Sequence, residues 1–82
     1  MSTKIVDLIT AGQCRAARGL LEMTQTELAA LATLGLSTIV DFEKARRVVS
    51  NEAKESIRKA LEKAGIQFIK KNGGGPGVRL QR

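Results

Sequence analysis

Between Ala11 and Leu21 the apolar residues Cys14, Ala17, Leu20 and Leu21 fall on one side of a helix, while Arg15 and Glu22 fall mostly outside it. Thr10 followed three residues later by Gln13 has the spacing of a capping box, which predicts that this first helix begins at Ala11. Thr24 and Glu27 repeat the spacing, so the chain must stop one helix and start another at Gln25, running to about Ala32. Leu28, Ala29 and Ala32 share its inner face, and Ala29 is small enough to admit a neighbouring helix. Thr33, Leu34 and Gly35 form a turn, with Gly35 at the cap of a third helix from Leu36 to about Lys44. That helix turns Ile39 and Phe42 inward with Glu43 beside them, and it leaves Ser37, Thr38, Asp41 and Lys44 on its outer face. After a loop from Ala45 to Val49, Ser50 caps a fourth helix, Asn51 to about Lys63. Its stripe of Ala53, Ile57, Ala60, Leu61 and Ala64 is core, Glu55 is spaced to pair with Lys59, and Gly65 is a left-handed stop.

Beyond Gly65 the pattern changes. Ile66, Phe68 and Ile69 read as a strand, Asn72 to Gly77 as a wide turn, and Val78 to Leu80 as a second strand. The glycines do not form a phosphate-cradling loop, because no helix and no Lys-Ser/Thr pair come after them; they are hairpin geometry. Two strands alone are marginal in water, so they must pack on the helices or pair with another copy, which favours a homodimer. The stretch Lys4 to Ile9 is short, apolar and β-branched, and its six residues fit a strand, a helical extension or an arm over a partner subunit equally well. The fold class is therefore mainly α: a four-helix helix-turn-helix domain with a short C-terminal β-hairpin. The expected divisions are an arm at 1–9, the helical domain at 10–64 and the hairpin at 65–82, a possible dimerisation element.

Composition narrows the function. Eighty-two residues build one core, and with Phe42 and Phe68 as the only aromatics that core is aliphatic. The net charge of +6 is lopsided: three Lys/Arg against four Asp/Glu through Phe42, then eleven against four from Glu43 onward. A polyanion is the partner class that such a half favours. One cysteine cannot form an internal disulfide, and Cys14 reads as a small buried apolar residue. With no histidine, metal and general-base chemistry lose their commonest residue, so neither an enzyme nor a metal or cofactor is expected. No run resembles a leader or a membrane span, and a cytoplasmic, nucleoid-associated protein is the expectation.

The spacing of the second and third helices has a chemical use, since a major groove admits one α-helix and a neighbouring helix must fix its depth and angle. At the start of the second helix, first-turn amides and the side chain of Gln25 suit a backbone phosphate. The third helix offers Leu36 to a thymine methyl, Ser37 or Thr38 to several bases and Asp41 to a cytosine amine. Lys44, Arg46 and Arg47 suit phosphates just beyond it.

The stretch QTELAALATLGLSTIVDFE resembles the helix-turn-helix of the phage repressor and Cro-like (XRE) family, Q-x-E-L-A, a turn, then S/T-I-x-x-x-E. Gln25, Glu27, Leu28, Ala29, Thr38, Ile39 and Glu43 occupy the matching positions. The resemblance covers roughly residues 10–64 and implies a repressor-like, DNA-binding helical domain acting as a homodimer on a palindromic operator. It also implies an ion pair between Arg18 and Glu43 that orients the third helix. Two departures stand out: Thr33 replaces the usual turn glycine, so the turn accommodates it or shifts toward Gly35, and the outer face holds no Arg, Lys, Asn or Gln before Lys44. Specificity then leans on few base contacts and on DNA shape. The alternative function is a protein-binding helix-turn-helix module, antiactivator or antitoxin-like, without specific DNA recognition.

Overall fold

The computed structural model describes residues 8–71 and 73–81. The secondary structure of Lys4 to Asp7 and the place of Asn72 in the turn lie outside the described residues. In order, the chain forms α1 (Ala11–Leu21), α2 (Gln25–Ala32), α3 (Leu36–Lys44), α4 (Asn51–Lys63), β1 (Ile66–Ile69) and β2 (Gly77–Leu80).

The helix starts arise from local chemistry. The Thr10 hydroxyl accepts from the Gln13 amide at 3.0 Å while Gln13 Oε1 accepts from the Thr10 amide at 2.9 Å. Thr24 and Glu27 do the same at 3.0 and 2.8 Å, and Ser50 Oγ accepts from the Ala53 amide at 3.1 Å. Each bond satisfies an amide at the helix start that has no partner within its helix. Gly35 caps α3 with extended backbone and contributes no side-chain bond.

The first three helices end in one repeated way. Glu22, Thr33 and Ala45 adopt φ of 54°, 58° and 54°, a left-handed conformation that usually falls to glycine. At each, the cap residue's amide and the next one fold back as a pair, the second running from Met23 to the Arg18 carbonyl, from Leu34 to Ala29 and from Arg46 to Asp41, all at 2.9 Å. Met23 and Leu34 then pack against the core, so burial of an apolar side chain offsets part of the strain in two of the three turns. The turn thus accommodates Thr33 itself, with no shift toward Gly35. Gly65, at φ 112°, comes after α4 as a left-handed stop.

The core is mostly aliphatic, with Phe42 as a buried aromatic, and is shared by every element. Leu28, Ile39, Ile57, Leu61, Ile66 and Cys14 are the largest fully buried side chains, and Ile9 joins them at 5 % exposure, so the core extends one residue N-terminal to Thr10. Leu20, expected on the inner face of α1, is 44 % exposed. It sits on the border of the Cys14–Ala17–Leu21 stripe rather than within it, one residue step away from Leu21 around the helix.

The two strands are antiparallel, with Ile66 opposite Leu80 and Phe68 opposite Val78. These four side chains form the inner face against α1 and α4, while Gln67 and Arg79 bond across the outer face at 3.0 Å. Gln13, itself buried, donates from Nε2 to the Gly77 carbonyl at 3.0 Å and fastens β2 to α1. The stability that an isolated hairpin lacks is supplied within the chain. On α4 the surface pair differs from expectation: Arg58, not Lys59, takes Glu55, and it also reaches Glu62 at 2.8 Å. A forked guanidinium one turn from each carboxylate serves both. Among the described residues no helix is long and apolar enough to cross a membrane.

Candidate nucleic-acid interface

One carboxylate joins α1, α2 and α3. Glu43, near the end of α3, is 3 % exposed. Arg18 of α1 grips it bidentately, Nε to Oε2 at 2.7 Å and Nη2 to Oε1 at 2.6 Å. Gln25 Nε2, at the start of α2, donates to Oε1 at 3.0 Å, and the Cys14 thiol donates to Oε2 at 3.0 Å. Arg18 also reaches the Met23 carbonyl at 3.0 Å, and Arg15 donates to the Glu43 backbone carbonyl. The α1–α2 turn and the last turn of α3 are therefore tied together through arginines of α1.

Electrostatics reflect this geometry. Burial pushes the Glu43 carboxyl up, but the hydrogen bonds from Arg18, Cys14 and Gln25 and the Arg18 charge outweigh it and hold it below the usual carboxylate range. The Cys14 thiol is pushed far up by burial and by its bond to Glu43, so it stays protonated and acts as a donor. The hydrogen bond to Glu43 raises the pKa of Arg18. The result is an ionised pair with its remaining acceptor sites filled, the condition under which a buried ion pair is tolerable.

The opposite side of α3 is open. Leu36 is 46 % exposed, Ser37 and Lys44 are exposed, and Thr38 and Asp41 are half-buried. Arg46 and Arg47 come after the left-handed turn at Ala45, which reverses the chain and returns them to the helix they have just left. Arg47 Nε donates to Asp41 Oδ2 at 2.8 Å, and its Nη2 lies 3.4 Å from the Thr38 hydroxyl. Arg46 Nη1 is 3.9 Å from the other Asp41 oxygen.

Two of the expected site residues are engaged within the chain. Asp41 is an acceptor already engaged by Arg47, not an open carboxylate facing bases, because the turn at Ala45 brings a guanidinium back onto it. Gln25 faces inward to Glu43, since the capped start of α2 is drawn against the end of α3. Leu36, Ser37 and Thr38 lie together on the outer face with Lys44 and Arg46 at its end. Neither Arg15 nor Cys14 is marked by sequence as a partner of Glu43. Arg15 stands one turn before Arg18 on α1, and that spacing is the one sequence signal of its position.

No protein-family model matches the chain, and no curated protein matches it.

Proposed function

We propose that this chain is a sequence-specific DNA-binding transcriptional regulator, a repressor of the phage repressor and Cro-like kind. It lays α3 in the major groove of a palindromic operator as a homodimer in the cytoplasm, at the nucleoid. The observation that carries this is the Glu43 junction: three helices fixed to one buried carboxylate, under a helix whose other face is open and ends in Lys44, Arg46 and Arg47. A reading helix needs its depth and angle set before contact, and a packed polar junction sets both. Leu36, Ser37 and Thr38 then meet base edges, while Lys44 and Arg46 meet phosphates and bring affinity and salt dependence.

Selection of duplexes from a random pool at physiological salt tests this, together with the mass of the protein–duplex complex. A palindromic sequence bound by two chains is expected. Arg46→Ala should weaken binding to every duplex alike and flatten the salt slope by roughly one. No enrichment would transfer the fold to the protein-binding alternative.

A further inference from the structure

The geometry points to Arg47 as the long polar reader of this site, held over the outer face of α3 by Asp41, with the major-groove edge of a guanine as its ligand. The inference rests on the DNA-binding function proposed above. It gives α3 the reader that its own residues before Lys44 lack.

Three observations converge. The left-handed residue Ala45 and the bond from the Arg46 amide to the Asp41 carbonyl reverse the chain at the end of α3, so residue 47 returns beside residues 38 and 41. A guanidinium has two donor edges, and here the Nε–Nη2 edge is spent on Asp41 and Thr38. That leaves the Nη1–Nη2 end, a fork whose spacing fits guanine O6 and N7. Arg47 is also half exposed while Asp41 is 22 % exposed, so the guanidinium is the outer partner of the pair.

The same arrangement argues against a phosphate as the main ligand. Asp41 cancels much of the Arg47 charge at 2.8 Å, which weakens long-range attraction to phosphate but leaves the directional hydrogen bonds of the free end intact. It also orders a long side chain before DNA arrives, lowering the entropic cost of a base contact. Asp41 is in this account a positioning residue, and Arg46, at 3.9 Å and more exposed, keeps the phosphate role.

Parallel selections from one random duplex pool, with wild type, Arg47→Ala, Arg47→Lys and Asp41→Asn, test the assignment. Arg47 is exposed and Asp41 half-buried, and far-ultraviolet circular dichroism checks that each variant is folded. Wild type should enrich a half-site with a fixed guanine, and replacing that base by an analogue lacking N7 should weaken wild type but not Arg47→Ala. Arg47→Ala should lose roughly 5- to 150-fold discrimination at that position and keep the others. Arg47→Lys should lose it as well, because a point charge cannot grip two acceptors. Asp41→Asn should retain the guanine preference at reduced strength. If Arg47→Ala keeps every base preference and loses only about one unit of salt slope, Arg47 is a phosphate contact and the assignment is overturned. If Asp41→Asn binds all duplexes more tightly and equally, Asp41 competes with DNA and the positioning role is overturned. Enrichment by wild type with no change in Arg47→Ala defeats this inference alone, whereas no enrichment by wild type defeats the proposed function with it.

Discussion

Replacing Glu43 with Gln removes one charge from the centre of the α1–α2–α3 junction while keeping the side chain's shape. The carboxylate accepts four side-chain hydrogen bonds, two from Arg18 and one each from Gln25 and Cys14. An amide keeps one acceptor oxygen and turns two N–H donors toward a guanidinium and a thiol that are donors themselves. Breaking a fully buried ion pair costs about 3–5 kcal/mol, but Arg18 is 20 % exposed and regains some hydration, so a loss of about 2–3 kcal/mol is expected. For a domain of this length, whose total stability is on the order of 4–12 kcal/mol, that lowers Tm by roughly 10–20 °C. The chain has no Trp or Tyr, so urea and thermal unfolding are best monitored by far-ultraviolet circular dichroism. The pH dependence supplies a second test. Because the folded carboxyl titrates below its ordinary value of about 4.3, its stabilisation is fully present above that pH and is lost as pH falls through the folded value. The wild-type and Glu43→Gln curves should therefore run parallel near neutrality and converge in acid. A difference under about 0.5 kcal/mol at pH 7, or a gap that persists undiminished into acid, would refute the view of Glu43 as an ionised tie between helices.

Thr33→Gly should raise stability by about 0.5–1 kcal/mol, since it relieves a β-branched residue at φ 58° at the expense of greater freedom in the unfolded chain. Thr33 is exposed, so no packing is lost, and a fall in Tm would show that its side chain contributes something other than strain. Ile66→Ala should cost about 2–5 kcal/mol in urea unfolding, because the side chain is 1 % exposed beneath the hairpin. A loss under about 1 kcal/mol would mean that the hairpin is an appendage and not a wall of the core.

Much of the backbone plan was legible because it is written in short-range chemistry. Thr10 with Gln13 and Thr24 with Glu27 place two helix starts within a few residues, and the alternation after Gly65 separates strand from helix. The helix ends were harder. Left-handed stops at Glu22, Thr33 and Ala45 carry no glycine, so they are held by the paired amides and, at two of them, by the burial of Met23 and Leu34, neither of which composition displays. Side-chain bonds between distant positions were harder still. Arg18 with Glu43 was expected from a family resemblance, yet Cys14, Arg15 and Gln25 converge on the same residue only because the packing angles of three helices bring them there.

Short-range and long-range chemistry meet on α3. Its inner face is over-determined: Ile39 and Phe42 pack in the core while Glu43 is bound from α1 and α2, so the helix has little freedom to tilt. Its outer face is completed by residues beyond its own end, since the unglycinated turn at Ala45 decides whether Arg46 and Arg47 continue outward or fold back. They fold back, and Asp41 changes from an acceptor awaiting a base to an anchor for a guanidinium. A face that is poor in long polar side chains by sequence therefore gains one from past its C-terminus. Under the proposed function, the turn at Ala45 belongs to recognition as much as Ser37 or Thr38 does, because the position of Arg47 depends on it.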